Sequence, residues 1–232
     1  MSEPQGLKVV DGVDLDDKIR GVLKPGELLH DEEGRRHRLP RYFYEIPDHE
    51  TAMNTRLTPH FGLNEFLLVD FKEHALLQAF PKYVPCAIRV LAFYLEQFRA
   101  AAGSSVHIAV NGGYRSPSHK MSQQASPHMW GTAADIYRVG STILKTKEAI
   151  EKYNEIAEDV SSEINVFPYG HVTGKNADDH VHLDLGYITL VPKEIGEDRM
   201  ERPHESQPRF AFEERRRKER RAAATVAADE ND

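Results

Sequence analysis

The chain has 232 residues, of which 40 % are hydrophobic, and this is enough for at least one domain with a proper core. Its single cysteine, Cys86, excludes an internal disulfide and a metal cluster built on thiolates. The net charge of −7 disfavours a general nucleic-acid binder, because affinity for phosphates comes from clustered Lys and Arg. No apolar run reaches the roughly 18 residues of a membrane span, and the acidic, polar first 25 residues lack the apolar region of a signal peptide. We therefore expect no membrane span, no nucleic-acid partner and a chain that is cytoplasmic as synthesised.

Residues 1–57 are rich in charge and turn signals, and we expect them to form an N-terminal accessory lobe. Glu27–His30 and Arg35–Leu39 flank the turn-forming segment Asp31–Gly34, an arrangement that predicts a hairpin. Tyr42–Ile46 then predicts a further short strand.

Residues 58–195 show the helix and strand patterns that are typical of a globular domain. Pro85 at its start, Gly103 beyond its end and an apolar face predict a first helix. The other predicted elements, in chain order, are a strand over 106–110, a strand over 132–139, a helix over 143–158 and strands over 164–167 and 181–185. This order predicts an α+β fold with a small, mostly antiparallel sheet and flanking helices. Residues 196–232 are expected to be a charged tail, either flexible or helical.

Two segments carry the residue types of a metal site. His128 and Asp135 lie on either side of small residues that let the backbone pass close to a metal ion. In a strand that starts near residue 180, alternation places His180, His182 and Asp184 on one face. Two imidazole nitrogens and a carboxylate are the ligand set of an open, catalytic zinc site that binds one ion. His182 is favoured over His180 as the second histidine, because it lies deeper in the strand.

The base that would take a proton from the metal-bound water has two candidates. Asp179 lies in the turn before the strand, but a regular strand would point its side chain away from His182. If the strand is regular, His180 is the better candidate. Arg115 follows a Gly turn, a placement that could hold a guanidinium at the edge of a cleft, where a hydrolase needs positive charge.

Three motifs resemble the zinc D-alanyl-D-alanine peptidases, particularly the peptidoglycan carboxypeptidases and wall hydrolases. Over roughly Leu57–Gly186, the segment Ser126–Asp135 matches the family pattern S-x-H-x-x-G-x-A-x-D without a departure. Phe61–Phe66 is similar to the F-x-L-x-E-F opening of that domain, and Gly113–Pro117 to its G-Y-R-S-P segment.

The resemblance implies a role for each candidate residue. The zinc ligands would be His128, Asp135 and His182. The base would be Asp179, with His180 matching a histidine that some members carry beside it. By the same resemblance, Arg115 would help to bind substrate or stabilise the transition state. Ser126 and Tyr114 are further candidate substrate contacts beside Arg115.

The expected protein is thus a zinc metallopeptidase with an open, zinc-bearing cleft, acting on peptidoglycan or its stem peptides as a carboxypeptidase or an endopeptidase. It would reach the wall through release by a phage or another lysis route. The alternatives are a wall-binding or structural module that keeps the zinc but performs no catalysis, and a cytoplasmic zinc dipeptidase.

Overall fold

The structure is a computed structural model that describes residues 7–171 and 179–192. Within these ranges the chain forms five α-helices and ten β-strands. The helices are α1 (Asp17–Leu23), α2 (His49–Asn54), α3 (Ala75–Gln78), α4 (Ile88–Ala102) and α5 (Lys147–Val160). The strands are β1 (Lys8–Asp11), β2 (Leu28–His30), β3 (Arg36–Arg38), β4 (Tyr42–Ile46), β5 (Lys82–Pro85), β6 (Val106–Ile108), β7 (Ala133–Val139), β8 (Thr142–Ile143), β9 (Asn165–Val166) and β10 (Val181–Asp184).

The largest sheet is antiparallel and confirms the predicted α+β class. Its strand order is β6-β7-β10-β9, and β8 also pairs with β7. The predicted strand over 106–110 ends earlier, at Ile108, because the chain turns there: Gly112 N–H donates to Ala109 O. The two strands that carry the candidate ligands, β7 and β10, are direct neighbours at the centre of this sheet.

Alternation gives β7 and β10 one apolar and one polar face. Ala134 and Ile136 of β7 and Val181 and Leu183 of β10 all belong to the main hydrophobic core. The intervening side chains therefore point to the opposite face of the sheet, where the candidate ligands lie.

Helices α4 and α5 pack against each other and against the central sheet. The predicted apolar face of α4 is fully buried and consists of Ile88, Leu91, Leu95 and Phe98. Pro85 does not start this helix: it is the last residue of β5 and pairs with Phe43 of β4. The helix predicted over 143–158 corresponds to α5, which begins later than predicted, after Thr146. The Thr146 side chain accepts a hydrogen bond from Ala149 N–H and so caps the helix.

The N-terminal residues are joined to the remainder of the described chain. Strands β2 and β3 form the predicted hairpin, whereas β1 and β4 form a second antiparallel sheet with β5 in the order β1-β4-β5. Tyr44 and Ile46 of β4 share the core with α4. The described residues from 7–171 and 179–192 belong to one compact unit, and the expected boundary near residue 57 lies within it.

The predicted charged tail over 196–232 lies outside the described residues. In the part of the chain that is described, every helix is too short or too polar to cross a bilayer.

Candidate metal centre

His128 is presented by a short 3-10 turn, Pro127–Trp130, that leads into β7. Gly131 ends this turn with φ +67°, a left-handed conformation that glycine adopts at little cost, and β7 then begins two residues later. The Nδ1 atom of His128 lies 2.8 Å from Gly113 O, and this carbonyl can only accept a hydrogen bond. The proton of a neutral His128 is therefore held on Nδ1, and the lone pair of Nε2 points towards Asp135, whose Oδ1 is 3.3 Å away.

Asp135 and His182 meet because β7 and β10 pair in this register. The two residues are direct Cα partners, so their side chains leave the sheet on the same face. His182 Nδ1 lies 2.8 Å from Asp135 Oδ1. All three residues are buried, and one ligand atom from each of His128, Asp135 and His182 lies within 4.8 Å of the others. The structure thus brings the three predicted metal ligands together.

Behind His182 lies a carboxylate to which the sequence patterns assigned no role. Asp184 Oδ2 is 3.2 Å from His182 Nε2. The other carboxylate oxygen, Oδ1, accepts hydrogen bonds from Asn165 Nδ2 at 3.0 Å and from Gly186 N–H at 2.7 Å. A ligating histidine commonly donates its second N–H to such a carboxylate, which fixes the ring orientation. Strand alternation in the sequence could have indicated Asp184, since it follows His182 on the same face of β10.

The electrostatics of the three residues suit a divalent cation. Burial lowers the pKa of His128 to about 4, and its imidazole is neutral at pH 7. Burial alone would raise the pKa of Asp135, but the attraction and hydrogen bonds that it gains from His128 and His182 in their protonated forms hold it well below its ordinary value. Burial opposes a charge on His182 too, yet hydrogen bonds to Asp135 and Asp184 raise its pKa to about 9. One ionised carboxylate, one neutral imidazole and one imidazole that releases a proton fit the two-nitrogen, one-oxygen set of a catalytic zinc site.

Arg115 also lies at this group. Its Nη1 atom is 3.7 Å from Asp135 Oδ2, and its side chain is 12 % exposed. Burial lowers the pKa of Arg115, although the carboxylate of Asp135 favours the charged form. The guanidinium therefore lies beside the candidate metal ligands.

Of the other two expected substrate contacts, Ser126 adjoins the His128 turn, whereas Tyr114 lines a separate small cavity. Ser126 is half-buried and directly precedes the turn that carries His128. Tyr114 is buried, and its hydroxyl has no hydrogen-bond partner among the residues that the structure describes. It lines a small cavity with Glu73 and Lys82, neither of which belongs to the metal group. The position of Tyr114 does not support the expected substrate contact, because its hydroxyl is enclosed by protein.

Asp179 and His180 lie in a bend before β10, which starts at Val181. His180 Nδ1 is 2.8 Å from Asp179 Oδ1, and His180 Nε2 is 3.5 Å from Asp135 Oδ1. The side chain of His180 is 25 % exposed, whereas that of Asp179 is 54 % exposed. The structure therefore places His180 next to the metal ligands and Asp179 on the outer side of His180.

An aromatic side chain covers the face of His182. The Phe167 ring stacks on the His182 ring, with 4.3 Å between centroids and 10° between planes. The His171 ring lies against the Phe167 ring, with 4.5 Å between the two centroids. The backbone of Phe167 is anchored by Asn154 of α5, whose Nδ2 donates to Phe167 O at 2.8 Å. This stacking and the hydrogen bond of Asp184 both restrict rotation of the His182 ring.

The hairpin β2–β3 packs beneath the His128 turn. Trp130, which is fully buried, donates from Nε1 to Arg38 O at 3.1 Å. His37 stacks on Tyr187 with a centroid distance of 3.6 Å. Ala125 N–H, close to Ser126, donates to His30 O at 2.9 Å. The N-terminal residues thus support the segment that presents the first metal ligand.

Comparisons with family models, with curated proteins and with solved structures yield no match to this chain. The function proposed below is based on the chemistry of the site and on the motif resemblance.

Proposed function

We propose that this protein is a zinc-dependent metallopeptidase that hydrolyses amide bonds in peptidoglycan stem peptides, as a D-Ala-D-Ala carboxypeptidase or an endopeptidase. The observation that carries the proposal is the convergence of His128, Asp135 and His182 on one buried point, with further polar side chains facing the same carboxylate. Three protein donors leave a fourth coordination position for water, which distinguishes a catalytic site from a closed structural one. The open cleft that such a site requires is part of the proposal.

The ion would be held by Nε2 of His128, a carboxylate oxygen of Asp135 and Nδ1 of His182. When bound, zinc supplies a Lewis acid and lowers the pKa of its water towards about 7. The remaining chemistry, which is to orient the substrate, to hold the developing charge and to move a proton, belongs to side chains of this chain.

Arg115 supplies positive charge. Its half-buried guanidinium presents several N–H donors in a fixed fork, which can bind a carboxylate or a developing oxyanion at two points. Charge stabilisation of this kind is stronger where water is excluded, and the low exposure of Arg115 meets that condition.

His180 and Asp179 form the proton-transfer pair. In this scheme Nε2 of His180 receives the proton, and Asp179 stabilises the resulting imidazolium through its hydrogen bond to Nδ1. The His180 proton is then available for the leaving amine. Asp179 as the direct base, the role that the motif resemblance implies, is the alternative.

The substrate class is supported by the Ser126–Asp135 motif and by the charge of the site. Stem peptides end in a free carboxylate, and Arg115 can bind that group. Such a substrate lies in the cell wall, so we expect this protein to act after release by a phage or another lysis route.

The deciding experiment measures cleavage of a D-Ala-D-Ala peptide and of purified wall sacculi, with and without a chelator. We expect activity to vanish with the chelator and to return with added zinc. Activity that survives complete metal removal would contradict the mechanism. Zinc binding without cleavage would indicate a non-catalytic wall module, and cleavage of soluble dipeptides but not of wall material would indicate a cytoplasmic dipeptidase.

Two variants separate the candidate bases. If His180 takes the proton, His180→Ala loses most turnover and Asp179→Asn keeps part of it, because an amide can still accept a hydrogen bond from Nδ1 of His180. If Asp179 is the direct base, the order is reversed. Both variants are expected to keep zinc, since neither residue is a ligand in the proposed site.

A further inference from the structure

The loop that carries Arg115 is attached to a buried carboxylate on another segment. Ser116 donates from its backbone N–H to Glu73 Oε2 at 3.1 Å and from its hydroxyl to Glu73 Oε1 at 2.7 Å. Both residues are buried: Glu73 is 4 % exposed and Ser116 is fully enclosed. Glu73 is 43 positions away from Ser116 in sequence, so this contact ties together two distant parts of the chain.

A buried carboxylate has to be compensated by hydrogen-bond donors or by positive charge. Besides the two bonds from Ser116, Glu73 Oε1 accepts from His74 N–H at 2.7 Å, and Lys82 lines the same small cavity. The two oxygens of Glu73 thus receive three protein donors. This makes Glu73 a rigid anchor, because each of these bonds would be costly to leave unmade in a buried place.

The loop is fixed at Arg115 on both sides. Before it, Tyr114 N–H donates to Phe66 O at 2.9 Å, and a side chain on Gly113 would lie only 2.4 Å from the same oxygen. After it, the Ser116 bonds to Glu73 fix the chain again. The guanidinium of Arg115 projects from this short, doubly fixed segment towards Asp135.

We infer that Glu73 is a positioning residue for the site: its carboxylate holds the Ser116 backbone and hydroxyl, and so sets where the Arg115 guanidinium lies. The inference builds on the proposed function, in which Arg115 binds the substrate. Glu73 touches neither the metal ligands nor the expected substrate position, and it acts only through Arg115. Misplacement of a binding group by about 1 Å can cost about 100-fold in rate, so such an anchor has a measurable effect.

The first test observes Arg115 itself and does not depend on catalysis. NMR of the full-length protein, zinc-loaded and chelated, follows the Nε–H signal of Arg115, which is assigned by its loss in Arg115→Lys. The Glu73→Gln substitution replaces one carboxylate oxygen by an amide NH2 group, which cannot accept the hydrogen bond that Ser116 donates there. We expect exchange of the Arg115 Nε–H with solvent to accelerate by at least about 10-fold, because the guanidinium is no longer held in its buried position. Unchanged exchange in Glu73→Gln would overturn the inference.

Two further variants control this test. Ser116→Ala removes one donor and leaves the Glu73 charge in place, so it tests the inference even if Glu73→Gln fails to fold. We expect a smaller acceleration of the same signal, and an unchanged signal would overturn the inference. Glu96→Gln is the matched control, since Glu96 likewise accepts bonds from a neighbouring loop, at Thr58 and His60, but contacts no site residue. Acceleration in Glu96→Gln equal to that in Glu73→Gln would indicate general loosening and would overturn the inference.

The second test is a double-mutant cycle on stem-peptide cleavage. We expect Glu73→Gln to lower kcat/KM by about 10- to 100-fold in the wild-type background and by less than about 2-fold in the Arg115→Lys background. Equal losses in both backgrounds would overturn the inference. If the wild-type protein cleaves no stem peptide, the proposed function fails, and the NMR test still decides the role of Glu73.

Discussion

The metal-free protein is predicted to lose stability as the pH rises above 6.5, because of His182. Its imidazole lies between Asp135 and Asp184, which raise its pKa from the ordinary 6.5 to about 9. Between these two values the folded protein holds a proton that the unfolded chain releases. The stabilisation is therefore complete below pH 6.5 and is lost as the pH rises towards 9. Its size is about 3 kcal/mol.

His128 has the opposite effect at lower pH. Burial lowers its pKa from 6.5 to about 4, so the unfolded chain binds a proton that the folded protein does not. Stability should therefore rise by about 3 kcal/mol between pH 4 and 6.5. Burial also lowers the pKa of His107 and His119, and both add to this rise. The metal-free protein should be most stable near pH 6.5.

Bound zinc should remove the loss of stability that the metal-free protein shows above pH 6.5. A metal ion on Nδ1 of His182 takes the place of the proton, so zinc competes with protons below pH 9 and binds more tightly as the pH rises. Urea unfolding at pH 4–9, with chelator or with excess zinc, measures both effects. His107→Gln, which changes a histidine outside the metal group, should keep the alkaline fall, whereas His182→Gln should lose it. Metal-free stability that is flat or rising between pH 6.5 and 9 would refute this reasoning.

Three substitutions test other parts of the site. Asp184→Asn removes the charge behind His182 and should weaken zinc binding by about 10- to 100-fold in a chelator competition, while the exposed Asp159→Asn should leave it unchanged. Tyr114→Phe removes a buried hydroxyl that has no partner in the described part of the chain, so thermal unfolding should show equal stability or a gain of up to about 1 kcal/mol, with kcat/KM within about 2-fold of wild type. Trp130→Phe loses the hydrogen bond to Arg38 O and leaves a cavity, and it should lower the free energy of unfolding by about 1–3 kcal/mol in urea titrations.

Each of these expectations can fail in a specific way. Equal zinc affinity of Asp184→Asn and wild type would mean that the carboxylate does not support His182. A large loss of kcat/KM in Tyr114→Phe with unchanged stability would indicate that the Tyr114 hydroxyl contacts the substrate. Unchanged stability of Trp130→Phe would show that the hairpin is not coupled to the His128 turn.

The grouping of His128, Asp135 and His182 could be predicted from the sequence because it depends on local patterns. Strand alternation around His182 and the motif from Ser126 to Asp135 indicated which side chains share a face, and the register of β7 with β10 brings them together. The order of helices and strands gave the α+β class for the same reason, since each element has its own periodicity.

The remaining features depend on contacts between residues far apart in sequence. Glu73 and Ser116 show no periodic relation, and only the folded chain brings them together. The sheet of the predicted N-terminal accessory lobe likewise includes β5 from beyond residue 57, and the sequence pattern does not show this long-range pairing. The sequence left open whether His180 or Asp179 faces the candidate ligands, because this depends on where β10 begins. Strand ends are the least predictable part of a pattern.

The pairing of β7 with β10 also determines when during synthesis a metal centre can form. His128 and Asp135 leave the ribosome well before His182, which is 47 positions beyond Asp135 and lies on the last strand of the described chain. A nascent chain that stops before Val181 contains two of the three ligands and lacks the strand that completes the site. All three candidate ligands can therefore hold an ion together only after β10 has been made and has paired with β7.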